Sequence, residues 1–190
     1  MTLATGIYFF AIAYVLAYLE IQIEGPHGWA AKLPTWRWDS PAVLRWAGKP
    51  ITGYHVSLIA FILLFIHLPV LSQPWSLERE GETLSQFFLL AVFWDFLWFV
   101  CNPHFGLARF RPDRVWWFKS WTLGLPTSYF SGLAISLGIY AAGAFLPGSS
   151  LWPERVVRWA TVFAVLLVPT LLTIALHARR KVALAPAGND

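Results

Sequence analysis

Glu20, Glu24, His27, His55, Asp95, Asn102 and His104 are the residues of this chain whose types and surroundings could do chemistry. Each lies in or at the edge of an apolar run. There an ionisable group costs about 2.5–3.5 kcal/mol or more at a helix centre, and it faces a bundle interior. Carboxylates and neutral imidazoles together suit a divalent metal: zinc, iron or manganese. An open coordination position on such an ion activates water or oxygen. Glu20, Glu24, His27, His55 and His104 read as metal ligands. Asp95, in Phe93-Trp94-Asp95-Phe96, reads as a ligand or general base. Asn102 follows two turns further along the same face and completes the catalytic pair.

Spacing qualifies this set. Glu20 and Glu24 are four apart and share one face if the helix continues that far. Glu24-x-x-His27 has the spacing of di-iron bundles, but Gly25-Pro26 interrupts it, so His27 belongs on a turn folding back toward Glu20 or Glu24. No HxxxH, HxxHH or HExxH motif is present. Pro103 ends the helix at Asn102 and sets His104 on a turn. Asp95 has a structural alternative, a tie to Tyr14, Tyr54 or Ser57. His67 reads as an interior histidine held by a backbone carbonyl freed by Pro69. His177 reads as a cation at a helix C-terminus. A b-type haem between His55 and His104 or His177 is the alternative cofactor. His55 and His67 cannot share one, because 12 residues put them about 18 Å apart along the axis on different faces.

The elements that must position these groups follow from composition. Of 190 residues, 57% are hydrophobic and 13% charged, against about 45–50% and about 25% in a soluble domain. The expected fold class is all-α: a polytopic integral membrane protein with a five-helix transmembrane bundle. A single transmembrane domain over 1–178 has spans near 2–19, 51–71, 84–101, 127–146 and 156–176, each near the roughly 20 residues that cross a bilayer. Residues 179–190 read as a basic, then disordered, cytoplasmic tail. The single cysteine, Cys101, excludes an internal disulfide.

Orientation comes from charge. Of the 14 Lys and Arg, all but Arg79, Arg155 and Arg158 fall in the 20–50 and 102–126 connections and the tail. The positive-inside bias puts that side in the cytoplasm, with the N-terminus outside and the C-terminus cytoplasmic. The basic residues then meet anionic headgroups, and no nucleic-acid-binding face is expected. Two cytoplasmic segments, Trp29–Trp46 and Arg109–Trp121, interleave tryptophan with Lys and Arg. They read as two interfacial amphipathic helices, serving as anchors or as a lid over a lipid-like substrate. Glu78, Arg79, Glu80 and Glu82 read as a solvated outer loop. Ser131, Gly132, Ser136, Gly138 and Ala142 form a small-residue face on span four, suited to packing within the bundle or between protomers in an oligomer.

Three functions fit these residues. The first is a metal-dependent membrane enzyme acting on a lipid, isoprenoid-like or other apolar small molecule at the cytoplasmic leaflet. The second is a haem- or quinone-binding electron-transfer subunit. The third is a non-catalytic membrane subunit or small transporter. The first requires that acids and imidazoles from separate helices meet.

Overall fold

A computed structural model describes residues 2–183. Helix α1 (Leu3–Glu24) opens on a capping box between Thr2 and Thr5 and runs to Gly25, whose φ of 60° ends it. A hairpin of β1 (Arg37–Trp38) and β2 (Ile51–Thr52) pairs Arg37 with Thr52 and Trp38 with Ile51. It encloses α2 (Pro41–Ala47), which Ser40 caps and left-handed Gly48 closes. Helix α3 (Gly53–Ile66) follows with Thr52 as its cap and runs into a 3-10 turn, Leu68–Leu71. Helix α4 (Leu77–Cys101), capped by Ser76, leads to a second hairpin of β3 (Trp121–Thr122) and β4 (Leu125–Pro126). Its two-residue loop, Leu123-Gly124, has both φ positive, the geometry that matches hairpin twist. Helices α5 (Thr127–Ala142) and α6 (Trp152–Ala183) complete the chain.

Helix α4 is the axis of the bundle, packed along α1 and α5 and touching α6, while α3 lies at the edge with little of its surface covered. Leu89, Leu90, Phe93, Leu97 and Phe99 of α4 fill the core with Ala13, Leu16 and Ala17 of α1 and Val162 and Leu166 of α6. Small residues let these helices close. A Cβ on Gly6 would meet Val165 at 2.8 Å, and one on Gly132 would meet Val92 at 2.9 Å. Ser85 and Ser136 exchange hydrogen bonds between α4 and α5, and Trp159 Nε1 of α6 donates to Ser136 Oγ at 2.8 Å. Gly132 and Ser136 of the small-residue face are therefore consumed inside the bundle, whereas Ser131 and Gly138 remain exposed. Phe61, Leu64, Val168, Leu172 and Leu176 point outward, an apolar surface suited to lipid.

The chain is a mostly helical, multi-pass membrane protein: Leu3–Glu24, Leu77–Cys101, Thr127–Phe145 and Trp152–Arg179 are long and apolar enough to cross a bilayer. Several sequence expectations need correction. Helix α1 does not stop near residue 19 but carries Glu20 and Glu24, since nothing before Gly25 breaks it. The acidic segment Glu78–Glu82 is not a loop; capped by Ser76, it forms the first turns of α4. The second predicted span, 51–71, is shorter than expected as α-helix, 14 residues plus the 3-10 turn. Of the two tryptophan-rich connections, only Pro41–Ala47 is α-helical. Arg109–Trp121 holds the end of a 3-10 turn and the start of the β3–β4 hairpin, because Pro112 and the aromatic run favour turns packed on the bundle over a surface helix. Arg179, Arg180 and Lys181 extend α6 and do not start a tail; residues 184–190 of the predicted disordered tail lie outside the described residues.

Candidate functional site

The last turn of α1 sets Glu20 and Glu24 on one face, both buried. Past Gly25, positive φ at Gly28, Trp29 and Ala30 turns the chain back over that face. Ala30 N–H then donates to Glu24 Oε1, and Trp29 Nε1 donates to the Pro50 carbonyl at 2.8 Å. The β1–β2 pairing fixes where α3 begins. Gly53 is required there because a Cβ would run into the Trp36 ring. Thr52, the cap, accepts from His55 N–H and lies 2.7 Å from His55 Nδ1.

His55 Nε2 is 3.7 Å from Glu24 Oε1, and Tyr54 OH donates to Glu20 Oε1 at 3.4 Å. One ligand atom from each of Glu20, Glu24 and His55 lies within 4.8 Å of the others. The His55 ring stacks on Trp29 at 4.0 Å and 17°, and Lys49 Nζ sits 3.3 Å from the centre of the same indole. Burial lowers the Lys49 ammonium to about 8, against some support from the Asp95 carboxylate.

These groups face a cavity of about 200 Å³ whose other wall is α4. Ala91, Trp94, Asp95 and Trp98 line it, with Phe99 and Trp117 stacked at 6.0 Å and 14°. Asp95 enters the wall held by Tyr129 OH of α5. Trp94 Nε1 faces Glu20 without closing a hydrogen bond, and Trp98 Nε1 is buried with no partner. An aromatic-walled cavity thus holds three carboxylates, an imidazole and two indole N–H groups without a hydrogen-bond partner. Carboxylate–imidazole donors of this kind fit zinc, iron or manganese. With bonds of about 2 Å, two ligands of one ion lie up to about 4 Å apart, so the 3.7 Å His55–Glu24 separation already matches a shared ion and Glu20 needs only a small shift. If Nδ1 donates to Thr52, Nε2 presents its lone pair toward Glu24, the outer-shell hydrogen bond that orients metal-binding histidines.

The structure brings Glu20, Glu24, His55 and Asp95 to this cavity, on α1, α3 and α4. Three other predicted site residues stay away. His27 is exposed, because the chain folds back through Trp29 and Ala30 instead, and Ala30 N–H takes the Glu24 oxygen that His27 was expected to approach. His104 is exposed on the turn after α4. Asn102 is buried but saturated: Nδ2 donates to the Gly25 carbonyl at 2.8 Å and Oδ1 accepts from His104 N–H at 2.9 Å, which locks α4 to the end of α1. His104 and His177 line a different cleft, beside Tyr18 and Gln22. Among the described residues, no second histidine joins His55, so nothing here favours a bis-histidine haem. His67 bonds the Leu63 carbonyl at 2.6 Å, not one freed by Pro69, and also meets Glu80 at 3.1 Å.

Sequence reasoning missed Tyr129, having expected Tyr14, Tyr54 or Ser57 beside Asp95, and it missed the Trp29–Lys49 contact. One signal was available for the latter: a tryptophan three residues past a Gly-Pro break and a lysine just before the next helix flank the same polar cluster. No family model matches this chain, and no curated protein or solved structure shows significant similarity to it.

Proposed function

We propose that this protein is a membrane-embedded, metal-dependent enzyme acting on a lipid or isoprenoid-like apolar substrate. Glu20, Glu24 and His55 are the ligands of a divalent cation, zinc, iron or manganese. Asp95, held by Tyr129 and facing the same cavity, is the group placed to accept or return a proton from substrate. A cation there supplies Lewis-acid polarisation of a substrate oxygen. The chain's own residues position that oxygen: Trp98 N–H is a buried donor with no partner, and the walls around it are aromatic. The observation that carries the reading is the meeting of two carboxylates and an imidazole, from helices separated by a long connection, within 4.8 Å inside a buried aromatic cavity. Among the described residues neither glutamate has a Lys or Arg in ion-pairing range, which leaves the place of a cation to a bound ion.

The topology belongs to the same reading. Helix α3 starts beside Glu24 and its end meets Glu80 in the first turn of α4, so with the 3-10 turn it serves as the fifth crossing. The positive-inside bias then puts the cavity near the cytoplasmic leaflet, with the N-terminus outside.

Metal analysis of the protein purified in lipid nanodiscs tests the proposal. Near-stoichiometric zinc, iron or manganese is expected, lost in Glu20→Gln/Glu24→Gln and in His55→Ala while the far-ultraviolet helical signal persists. Metal-free protein that also fails to bind added zinc, iron(II) or manganese overturns it.

A further inference from the structure

The stripes that bring Glu20 and His55 into the polar cavity do not end there. On α1, Leu16 and Ile12 continue the row of Glu20 at four-residue intervals; on α3, Ile59, Ile62 and Phe65 continue that of His55 at intervals of four, three and three. The two helices run in opposite directions from the site, so each step away from the polar cluster lowers the number on α1 and raises it on α3. Along this path lies a second space of about 290 Å³, with Ile12, Val15 and Leu16 on one side and Phe61, Ile62 and Phe65 on the other. Its lining presents no polar surface. Leu16 and Ile62, both buried, stand one helical turn from Glu20 and Ile59 of the cavity lining, so the two spaces occupy neighbouring turns of the same two helices, while Val15 and Phe61 are open to the outside. From Glu20 to Ala11, the far end of the cleft, the helix advances about 14 Å.

From this adjacency we infer that the α1–α3 cleft is the tail channel of the candidate site. The substrate is a single-chain amphiphile whose polar head meets Glu20, Glu24 and His55 and whose one hydrocarbon chain lies between α1 and α3. This rests on the proposed function above and adds the shape of the substrate. One chain fits because the cleft is a single furrow between two helices, and a hydrocarbon chain matches a lining that offers no hydrogen-bonding partner. Helix α3, packed lightly on its neighbours, is the wall past which the chain enters from the bilayer.

The experiment uses a single-chain fatty alcohol carrying a diazirine near its tail, photolysed with the full-length protein in nanodiscs and mapped by mass spectrometry. Adducts are expected at the Ile12–Leu16 and Phe61–Phe65 segments, reduced several-fold by excess unlabelled alcohol. Ala11→Trp, at the exposed far end, should abolish labelling by the long-chain probe while sparing a short-chain one. Labelling that no alcohol competes and that marks Leu172 and Leu176 of α6 equally identifies ordinary boundary lipid and overturns the inference. Metal content is measured on the same samples. Competed cleft labelling without metal keeps the channel and removes the metal reading; bound metal without competed labelling does the reverse.

Discussion

Two buried ionic clusters lie at opposite ends of this bundle, and they are built on opposite rules. At one end Arg155 of α6 is 1% exposed and meets an acid directly. Nη1 donates to Glu78 at 2.6 Å, Nε donates to the Tyr140 carbonyl at 2.6 Å, and the guanidinium lies 4.3 Å from the Tyr140 ring centre. Gly143 leaves room for it, since a Cβ there would collide with the guanidinium. At the other end Glu20 and Glu24 crowd together with Asp95 near, and receive an imidazole and a phenol in place of a cation. In the Arg155 cluster the acid meets a guanidinium directly, which ties α6 to α4 and α5. The glutamate cluster has no Lys or Arg in ion-pairing range among the described residues, and under the proposed function a bound cation takes that place.

Removing a side chain at each end separates these rules most sharply. Arg155→Ala takes the guanidinium from Glu78 and opens a hole beside Gly143, while the Tyr140 carbonyl keeps the Gly143 N–H. Because the Glu78 side chain is 40% exposed, the cost falls below the roughly 3–5 kcal/mol of breaking a fully buried pair, read as a drop in thermal midpoint in detergent. Glu20→Gln, by contrast, should leave the midpoint of metal-stripped protein unchanged or raise it, because it removes one of two crowded like charges. A comparable loss from both variants would show that the glutamates are structural, and the contrast would fail.

The sequence carried the parts of this picture that depend on local chemistry along one helix. Span positions follow from runs of apolar residues, and Glu20, Glu24, His55 and Asp95 stood out because each is costly where it lies. It did not carry what depends on the path between helices. His27 and Asn102 looked equivalent to the true cavity residues by depth alone. What distinguishes them is a fold-back set by positive φ at Trp29 and Ala30 and an Asn102–Gly25 hydrogen bond across 77 positions. The tryptophan-rich connections misled for a related reason: aromatic and basic residues at an interface read as amphipathic helix, whereas Trp117 is consumed stacking on Phe99 and Trp29 on His55. Arg155 gave no local signal, since its partners, Glu78 and Tyr140, lie 77 and 15 positions away.

A smaller effect tests whether Asp95 belongs with the glutamate end. Tyr129→Phe removes the hydroxyl that Asp95 accepts from and leaves a buried carboxyl group unsatisfied, at a cost of about 1–3 kcal/mol. Adding Asp95→Asn should recover part of that cost if the pair acts only as a strut between α4 and α5, which a double-mutant cycle on thermal midpoints measures. Under the proposed function Asp95→Asn alone also leaves metal content intact while abolishing turnover of any identified substrate. Loss of metal in that variant would move Asp95 into the ligand set.

The smallest effect comes from Lys49, the ammonium nearest the glutamate cluster, resting on Trp29. Its pKa falls from the ordinary 10.5 to about 8 because folding buries it. Below pH 8 both folded and unfolded chains hold the proton, and the burial cost is carried in full. Between about 8 and 10.5 the folded protein sheds it first, the unfolded chain binds more protons, and stability rises with pH. Lys49→Met should therefore flatten the rise in thermal midpoint across that window. It should also leave the Trp29–His55 stack in place, because Trp29 is held separately through its bond to the Pro50 carbonyl. An unchanged slope in Lys49→Met would place the titration elsewhere and remove Lys49 from the electrostatics of the cavity.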